Sequence, residues 1–171
     1  MKKILSFILV LCMALTFVAC KSDDQTPDGM KNVAGENDAY FLYVPQSWIT
    51  NNNGVTGAYY SAVDRANVSI TAYSGDEYAS SDEYWEDFKK NVDSISTEFE
   101  VVKEKEAKTV SGRNAVQYVY KMTVSGEKYQ IQQIFMNYSN IMYVITYTAA
   151  EDRFEAHAEE VKQIRDQFRF K

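Results

Sequence analysis

The sequence predicts an α+β domain in which a mainly antiparallel sheet is flanked by helices on both faces. Strand-like segments joined by short turns fill most of residues 38–148, and short turns join antiparallel neighbours. Two segments, which begin near Ser80 and Glu151, instead place apolar residues at helical spacing. Residues 141–145 (IMYVI) are apolar on both faces, which predicts a central strand that is covered on both sides.

The first twenty residues differ in kind from the rest of the chain. A basic head, Lys2 and Lys3, precedes an apolar run of 16 residues, from residue 4 to residue 19. This run is short for a membrane-spanning helix of about 20 residues and is typical of a secretory signal peptide. The small residue Ala19 lies directly before Cys20, so we predict that cleavage removes residues 1–19.

Residues 17–20 (FVAC) resemble a bacterial lipobox, in which apolar or small residues precede an obligatory cysteine. The resemblance implies that the Cys20 thiol carries a diacylglyceryl group and that Cys20 is the mature N-terminus. Phe17 departs from the leucine that is usual at its position. The alternative is an ordinary signal peptide with an incidental cysteine. Lipidation predicts a cell-membrane location, with the domain on the extracytoplasmic face and anchored through Cys20.

Loss of the signal peptide changes the charge and the cysteine content. The full chain has 18 basic and 24 acidic residues, and removal of Lys2 and Lys3 leaves 16 basic residues and a net charge of −8. Nucleic acid and anionic bilayers repel an acidic domain, so we expect no nucleic-acid partner and attachment through lipid alone. Cys12 is also removed, which leaves Cys20 alone and excludes an internal disulfide.

The mature chain divides into two parts by composition. Residues 20–37 are polar, contain Pro27, Gly29 and Gly35, and show no periodicity, which predicts a lipidated cysteine followed by a flexible tether. The remaining residues, 38–171, have the length and composition of one globular domain.

The first half of the domain predicts three strands and a helix. The strand candidates, rich in β-branched and aromatic residues, are residues 40–44, 55–63 and 67–73. Ser80 and Glu83 have the spacing of a capping box and so indicate where the helix begins. Its apolar stripe is predicted to contain Tyr84, Phe88, Val92 and Ile95, widened by Trp85.

The second half predicts four strands and a final helix. The strand candidates are residues 100–110, 115–124, 129–137 and 141–148. Their short connections predict hairpins, and the alternating charges of residues 103–106 are typical of an edge strand. The last helix is predicted over residues 151–167, and residues 168–170 (FRF) form a closing strand candidate. Its apolar stripe is predicted to contain Phe154, Ala158, Val161, Ile164 and Phe168.

Several motifs resemble the PsbP family. Residues 44–48 (VPQSW) are similar to the opening of PsbP-like domains, and residues 112–115 (GRNA) to the start of their middle hairpin. Residues 143–147 (YVITY), a helix and residues 168–170 resemble the closing segment. The resemblance implies an α/β/α sandwich. The founding member is an extrinsic subunit of the photosynthetic oxygen-evolving complex, and many bacterial relatives are lipoproteins of unknown role. No family site residue maps onto this chain, so the photosynthetic role is not carried over.

Candidate catalytic and metal-binding residues are few. His157 is the only histidine, and we expect it to be a partly exposed helix residue rather than a catalytic base. One histidine and no thiol in the domain argue against zinc. Six carboxylates suit calcium chemically, but their spacing is not that of an EF-hand loop, and we expect no calcium site. These are the side chains of Asp76, Glu77, Asp82, Glu83, Glu86 and Asp87.

The aromatic content suggests binding rather than catalysis. Five tyrosines are expected to cluster around the first helix, either as a binding surface or as half-buried strand residues. They are Tyr59, Tyr60, Tyr73, Tyr78 and Tyr84. We predict a lipid-anchored, non-enzymatic binding or accessory module that uses no cofactor, with an unknown protein or small-molecule partner. The alternative is a hydrolase at the cell envelope that uses paired carboxylates in a cleft.

Overall fold

The computed structural model describes residues 26–51 and 53–171. The predicted signal peptide, residues 1–19, and the predicted lipidation site, Cys20, lie outside these residues. Within the described ranges, no helix combines the length and the hydrophobicity that crossing a membrane requires.

Eleven strands and two α-helices make up the described part of the chain. In chain order they are β1 Met30–Asn32, β2 Tyr40–Phe41, β3 Tyr43–Pro45, β4 Ile49–Thr50, β5 Gly57–Tyr59, β6 Asn67–Ser74, α1 Ser81–Asn91, β7 Glu98–Val110, β8 Arg113–Val124, β9 Glu127–Tyr138, β10 Ile141–Ala150, α2 Ala158–Gln167 and β11 Arg169–Phe170. Seven strands form one sheet in the order β4-β5-β6-β10-β9-β8-β7, and every neighbouring pair is antiparallel. The pairs β1-β3 and β2-β11 form two small sheets.

The long strands β7 to β10 are joined by three two-residue turns, at residues 111–112, 125–126 and 139–140. Both residues of each turn have positive φ, as in Ser111 (52°) and Gly112 (69°). This is the conformation of type I′ turns, whose twist matches that of antiparallel strands. The predicted hairpins are confirmed, and β7 is the edge strand that its alternating charges predicted.

Helices lie on both faces of the sheet, as the fold class predicted. On one face, Trp85 of α1 stacks on Tyr118 of β8, with ring centroids 4.5 Å apart, and packs in a core with residues of β9 and β10. On the other face, Val161 and Ile164 of α2 share a second core with Trp48 and the N-terminal strands. The chain therefore folds into three layers, with the sheet in the middle.

The N-terminus of α1 has the predicted cap. The Ser80 hydroxyl accepts a hydrogen bond from the Glu83 amide (3.2 Å), and the Glu83 carboxylate accepts one from the Ala79 amide (2.9 Å). Ile95 departs from the prediction, because it is 54% exposed instead of lying in the apolar stripe. The α-helix ends at Asn91 and a single 3₁₀ turn follows, which rotates Ile95 away from the core.

The last helix is shorter than predicted. Residues 151–153 and 155–157 form separate 3₁₀ turns, and the α-helix begins only at Ala158. This irregular start turns Ala158 outward. The other members of its predicted apolar stripe are buried, namely Phe154, Val161, Ile164 and Phe168.

The predicted start of the domain at residue 38 is wrong. Residues 30–32 form β1, which pairs with β3, and Met30 is buried in the core. The Gln46 amide also donates a hydrogen bond to the Gly29 carbonyl (3.0 Å). The polar composition of residues 21–37 does not indicate this strand. A three-residue edge strand needs only one buried side chain, so it leaves no apolar pattern in the sequence.

Two predicted strands are also shorter in the structure. Residues 40–44 divide at Leu42, because β2 pairs with β11 whereas β3 pairs with β1. Only residues 57–59 of the predicted 55–63 strand join the sheet, as β5. The chain then leaves the sheet in a loop, residues 61–65, before β6 begins.

The buried indole of Trp48 leads to the first testable prediction. Trp48 is 1% exposed and packs edge-on against Tyr60 and the His157 ring. Removal of a buried aromatic ring leaves a cavity, so we expect Trp48→Ala to lower the free energy of unfolding by about 3–5 kcal/mol. Urea denaturation measures the free energy of unfolding of the variant and of wild type. Val63→Ala, at a 96% exposed position, is the control and should change stability by less than about 0.5 kcal/mol. Equal effects of the two substitutions would contradict this packing.

Candidate functional site

His157 is buried, not partly exposed as predicted. It is 3% exposed, and its ring lies 4.2 Å from the Tyr60 ring. Its Nε2 lies 2.8 Å from Asp64 Oδ2, and its Nδ1 lies 3.2 Å from Glu160 Oε2. Asp64 lies in the loop between β5 and β6. Helical periodicity around His157 could not predict the contact between these two residues.

Asp64 is the centre of this group of charges. Its carboxylate accepts hydrogen bonds from Arg153 Nε (3.0 Å) and from the Ala66 amide (3.0 Å), as well as facing His157. Burial alone would raise the pKa of Asp64, but the hydrogen bonds from His157, Ala66 and Arg153 outweigh burial and hold the pKa below its usual value. We name Asp64, Arg153, His157 and Glu160 the His157 cluster.

The geometry of the His157 cluster suits a structural role. Both ring nitrogens of His157 face carboxylate oxygens, whereas a neutral imidazole has only one N–H to donate. The second contact therefore requires a proton, on the ring or on a carboxyl group. With both nitrogens engaged, the ring offers no free lone pair to a substrate. The cluster joins the 61–65 loop to the start of α2.

A cleft of about 430 Å³ lies beside the 61–65 loop. Its apolar lining includes Val63 and Ala66 from the loop region and Ala150 at the end of β10. Arg65 and Arg153 also line the cleft, and Arg65 stacks on Tyr59 with 4.6 Å between its guanidinium carbon and the ring centroid.

A second surface is the part of the sheet that α1 leaves uncovered. The helix covers β8 and β9, so four hydroxyl side chains of β6 and β10 remain at least partly exposed. Successive side chains of a strand point to opposite faces of the sheet. The neighbours of these hydroxyl residues are buried in the core beneath α2, so the hydroxyl groups lie on the α1 side; these neighbours are Val68, Ile70, Ile145 and Tyr147. We name the four hydroxyl residues the hydroxyl face: Ser69, Thr71, Thr146 and Thr148.

The surroundings of the hydroxyl face are aromatic and polar. A pocket of about 240 Å³ at one edge is lined by Ser69, Asn67, Tyr59 and Arg65, among others. Hydroxyl groups both donate and accept hydrogen bonds, while an aromatic ring and a guanidinium add stacking and charge. The surface can therefore hold a polar ligand or a polar segment of another protein.

The five tyrosines do not form one cluster around α1. Tyr73, Tyr78 and Tyr84 do pack together, with ring centroids 5.1–5.4 Å apart. Burial raises the pKa of Tyr84 to about 12, so its hydroxyl group stays protonated at neutral pH. Tyr59 and Tyr60 lie apart from them, beside Arg65 and His157 respectively.

Four of the six acidic residues between 76 and 87 bind other groups of the protein through their side chains, namely Asp82, Glu83, Glu86 and Asp87. Asp82 accepts hydrogen bonds from Lys105 and from the Tyr118 hydroxyl, and Asp87 accepts one from the Tyr78 hydroxyl. Among the residues that the structure describes, no three His, Cys, Asp or Glu side chains converge as a metal site.

Comparison with known proteins identifies the family. The family model for PsbP matches residues 28–170. The chain belongs to the PsbP family. The match begins before residue 38, in agreement with the position of β1. Among curated protein sequences, none matches the chain.

Three solved structures share the fold. CyanoP, the cyanobacterial PsbP of Synechocystis sp. PCC 6803, aligns with a TM-score of 0.60 at 15% identity, over 84% of this chain and 93% of that chain. LpqN of Mycobacterium tuberculosis, involved in cell envelope biogenesis, aligns with a TM-score of 0.57 at 13% identity, over 82% and 89%. PA94 of Pseudomonas aeruginosa, of unknown function, aligns with a TM-score of 0.53 at 18% identity, over 78% and 92%. At these identities the likeness shows the fold alone.

The His157 cluster predicts how stability depends on pH. A carboxyl group whose pKa is lower in the folded state stabilises the fold above its unfolded pKa, near 3.9, and this contribution disappears as the pH falls through the folded value. Asp64→Asn should therefore cost about 1–3 kcal/mol at pH 7, because it removes a carboxylate from buried partners. Denaturant unfolding between pH 7 and pH 3 measures the free energy of unfolding of both proteins. The difference between the variant and wild type should become smaller below about pH 4.

Asp166→Asn is the matched control for this prediction. The pKa of Asp166 is also lowered, because Lys162 and Arg165 outweigh the effect of its burial, but its side chain is 42% exposed. An exposed ion pair contributes less than about 1 kcal/mol. Equal losses of stability in the two variants would contradict the structural role of Asp64.

Proposed function

We propose that this protein is a lipid-anchored, non-enzymatic accessory module on the extracytoplasmic face of the cell membrane. The observation that carries the proposal is the lipobox-like sequence at residues 17–20, directly before a PsbP domain. The structural likeness to LpqN, which is involved in cell envelope biogenesis, agrees with an envelope location.

The His157 cluster does not supply the paired carboxylates that the alternative hydrolase needs. A carboxylate-dependent hydrolase needs two carboxyl groups that face a substrate across a cleft. Asp64 and Glu160 instead face the two nitrogens of one buried ring. Glu160 also accepts a hydrogen bond from the Trp48 indole (3.4 Å), which ties it further to the core.

We assign partner binding to the hydroxyl face. Its side chains are accessible and uncharged, and Arg65 and Tyr59 at its edge add charge and stacking. Such a surface recognises polar groups through hydrogen bonds rather than through net charge. Recognition through hydrogen bonds suits a domain whose net negative charge would repel anionic partners.

Replacement of the lipidated cysteine tests the anchor. Cys20→Ser removes the thiol that would carry the lipid, so the protein should move from the membrane fraction to the soluble fraction or keep its signal peptide. Mass spectrometry of the wild-type N-terminus should find a diacylglyceryl cysteine at residue 20. An unmodified mature peptide that begins at any other residue would contradict the proposal.

A charge placed on the hydroxyl face tests partner binding. Thr71→Lys introduces an ammonium group on the exposed surface of β6, so a partner crosslinked to the protein in its native membrane should be captured several-fold less. Thr109→Lys makes the same change at an exposed position of the edge strand β7 and should capture the partner as wild type does. Equal capture by both variants would place the binding surface elsewhere.

A further inference from the structure

The folded domain begins close to the predicted lipid. Gly29 pairs with Gln46, and the Lys31 ammonium group donates hydrogen bonds to the carbonyl groups of Gln46 and Trp48. The chain therefore joins the fold beside Trp48. Among the residues that the structure describes, Pro27 is the first with a backbone hydrogen bond to a strand, which its carbonyl group accepts from the Met30 amide of β1 (3.1 Å). Seven Cα–Cα steps separate Cys20 from Pro27.

This distance limits how the domain sits on a membrane. Seven steps of extended chain span at most about 25 Å. A folded domain of this size has a radius of gyration of about 15 Å and so a diameter near 40 Å. The domain cannot reverse its orientation on so short a connection. The part of the surface around Trp48 must stay near the bilayer if Cys20 carries the lipid.

One end of the sheet lies next to Trp48. Trp48 packs against Tyr60, which begins the loop between β5 and β6. The β8–β9 turn lies at the same end of the sheet. The antiparallel pairing places the start of β6 beside the end of β10, and the end of β10 beside the start of β9, which follows this turn. The residues before β7 also lie there, since the Thr97 amide donates to the Thr123 carbonyl (3.0 Å). We name this end the loop end.

Two apolar side chains project into solvent at the loop end. Val63 is 96% exposed at the tip of the 61–65 loop, and Ile95 is 54% exposed before β7. The 61–65 loop is rigidly built, because the Ser61 amide donates to the Asp64 carbonyl (3.0 Å) and the Asp64 amide donates to the Ser61 hydroxyl (2.9 Å). The His157 cluster holds Asp64 in turn. A rigid loop thus presents a valine that contributes nothing to the core.

We propose that the loop end rests on the membrane that holds the Cys20 lipid, with Val63 and Ile95 in contact with the bilayer interface. The proposal depends on the anchor proposed above. Arg65 and Arg153 at this end are balanced by acidic groups such as Asp64 and Glu127, so the contact is apolar rather than electrostatic. Two small side chains bind weakly, but a short anchor makes the contact intramolecular and raises its effective concentration to the millimolar range.

The cysteine content of the mature chain allows a direct test. Cys12 is lost with the signal peptide and an acylated Cys20 has no free thiol, so Val63→Cys gives the lipoprotein a single reactive thiol. This thiol is labelled with a polarity-sensitive fluorophore, and the protein is reconstituted in phosphatidylcholine vesicles that contain phosphatidylglycerol. The control is Ser139→Cys, an exposed and nearly isosteric change in the β9–β10 turn at the opposite end of the sheet.

Lipids with a nitroxide near the headgroup should quench the label at position 63 several-fold more than the label at position 139. The quenching should persist in 1 M salt, because an apolar contact is not screened. Vesicle flotation distinguishes the two proposals. Protein that floats but shows equal quenching at both positions would overturn the membrane contact and leave the anchor intact. Protein that does not float would overturn the anchor and, with it, the membrane contact.

Discussion

The burial of strand β10 on both faces is the constraint on which the rest of the structure depends. Val144 faces the core beneath α1, whereas Tyr143 and Ile145 face the core beneath α2, and all three are buried. A strand that is apolar on both sides needs a covering layer on each. One covering layer is α1, which connects β6 to the far edge strand β7. The other consists of α2 and the short strands β1, β2, β3 and β11.

The two covering layers differ, and the difference creates the surfaces available for function. A single helix of 11 residues, α1, cannot cover seven strands, so it packs over β8 and β9 and leaves the hydroxyl face open. The opposite layer combines α2 with four short strands and buries its side of β6 and β10. The hydroxyl face lies on a broad face of the sheet, with only Thr148 next to Val63 in the cleft at the loop end. The proposed membrane contact at the loop end therefore leaves Ser69, Thr71 and Thr146 accessible.

Local patterns predicted the elements that depend on local physics. The capping of α1 by Ser80, the three hairpins and the edge position of β7 follow from short-range spacing and turn chemistry, and the structure confirms them. The patterns failed where a distant contact decides. His157 is buried because Asp64, 93 residues away in sequence, offers it a partner. Periodicity around either residue contains no trace of this pairing, so the sequence predicted a partly exposed histidine.

The strand β1 shows how a small error in element assignment changes a functional conclusion. If residues 20–37 were all tether, the domain could turn freely above the membrane and no surface would be favoured. The pairing of β1 with β3 and the burial of Met30 instead fix the chain beside Trp48. Only seven Cα–Cα steps then separate Pro27 from Cys20. Because an extended chain cannot exceed its contour length, this pairing limits orientation as well as distance. If Cys20 carries the proposed lipid, the same core that buries Trp48 determines which end of the domain lies nearest to that lipid.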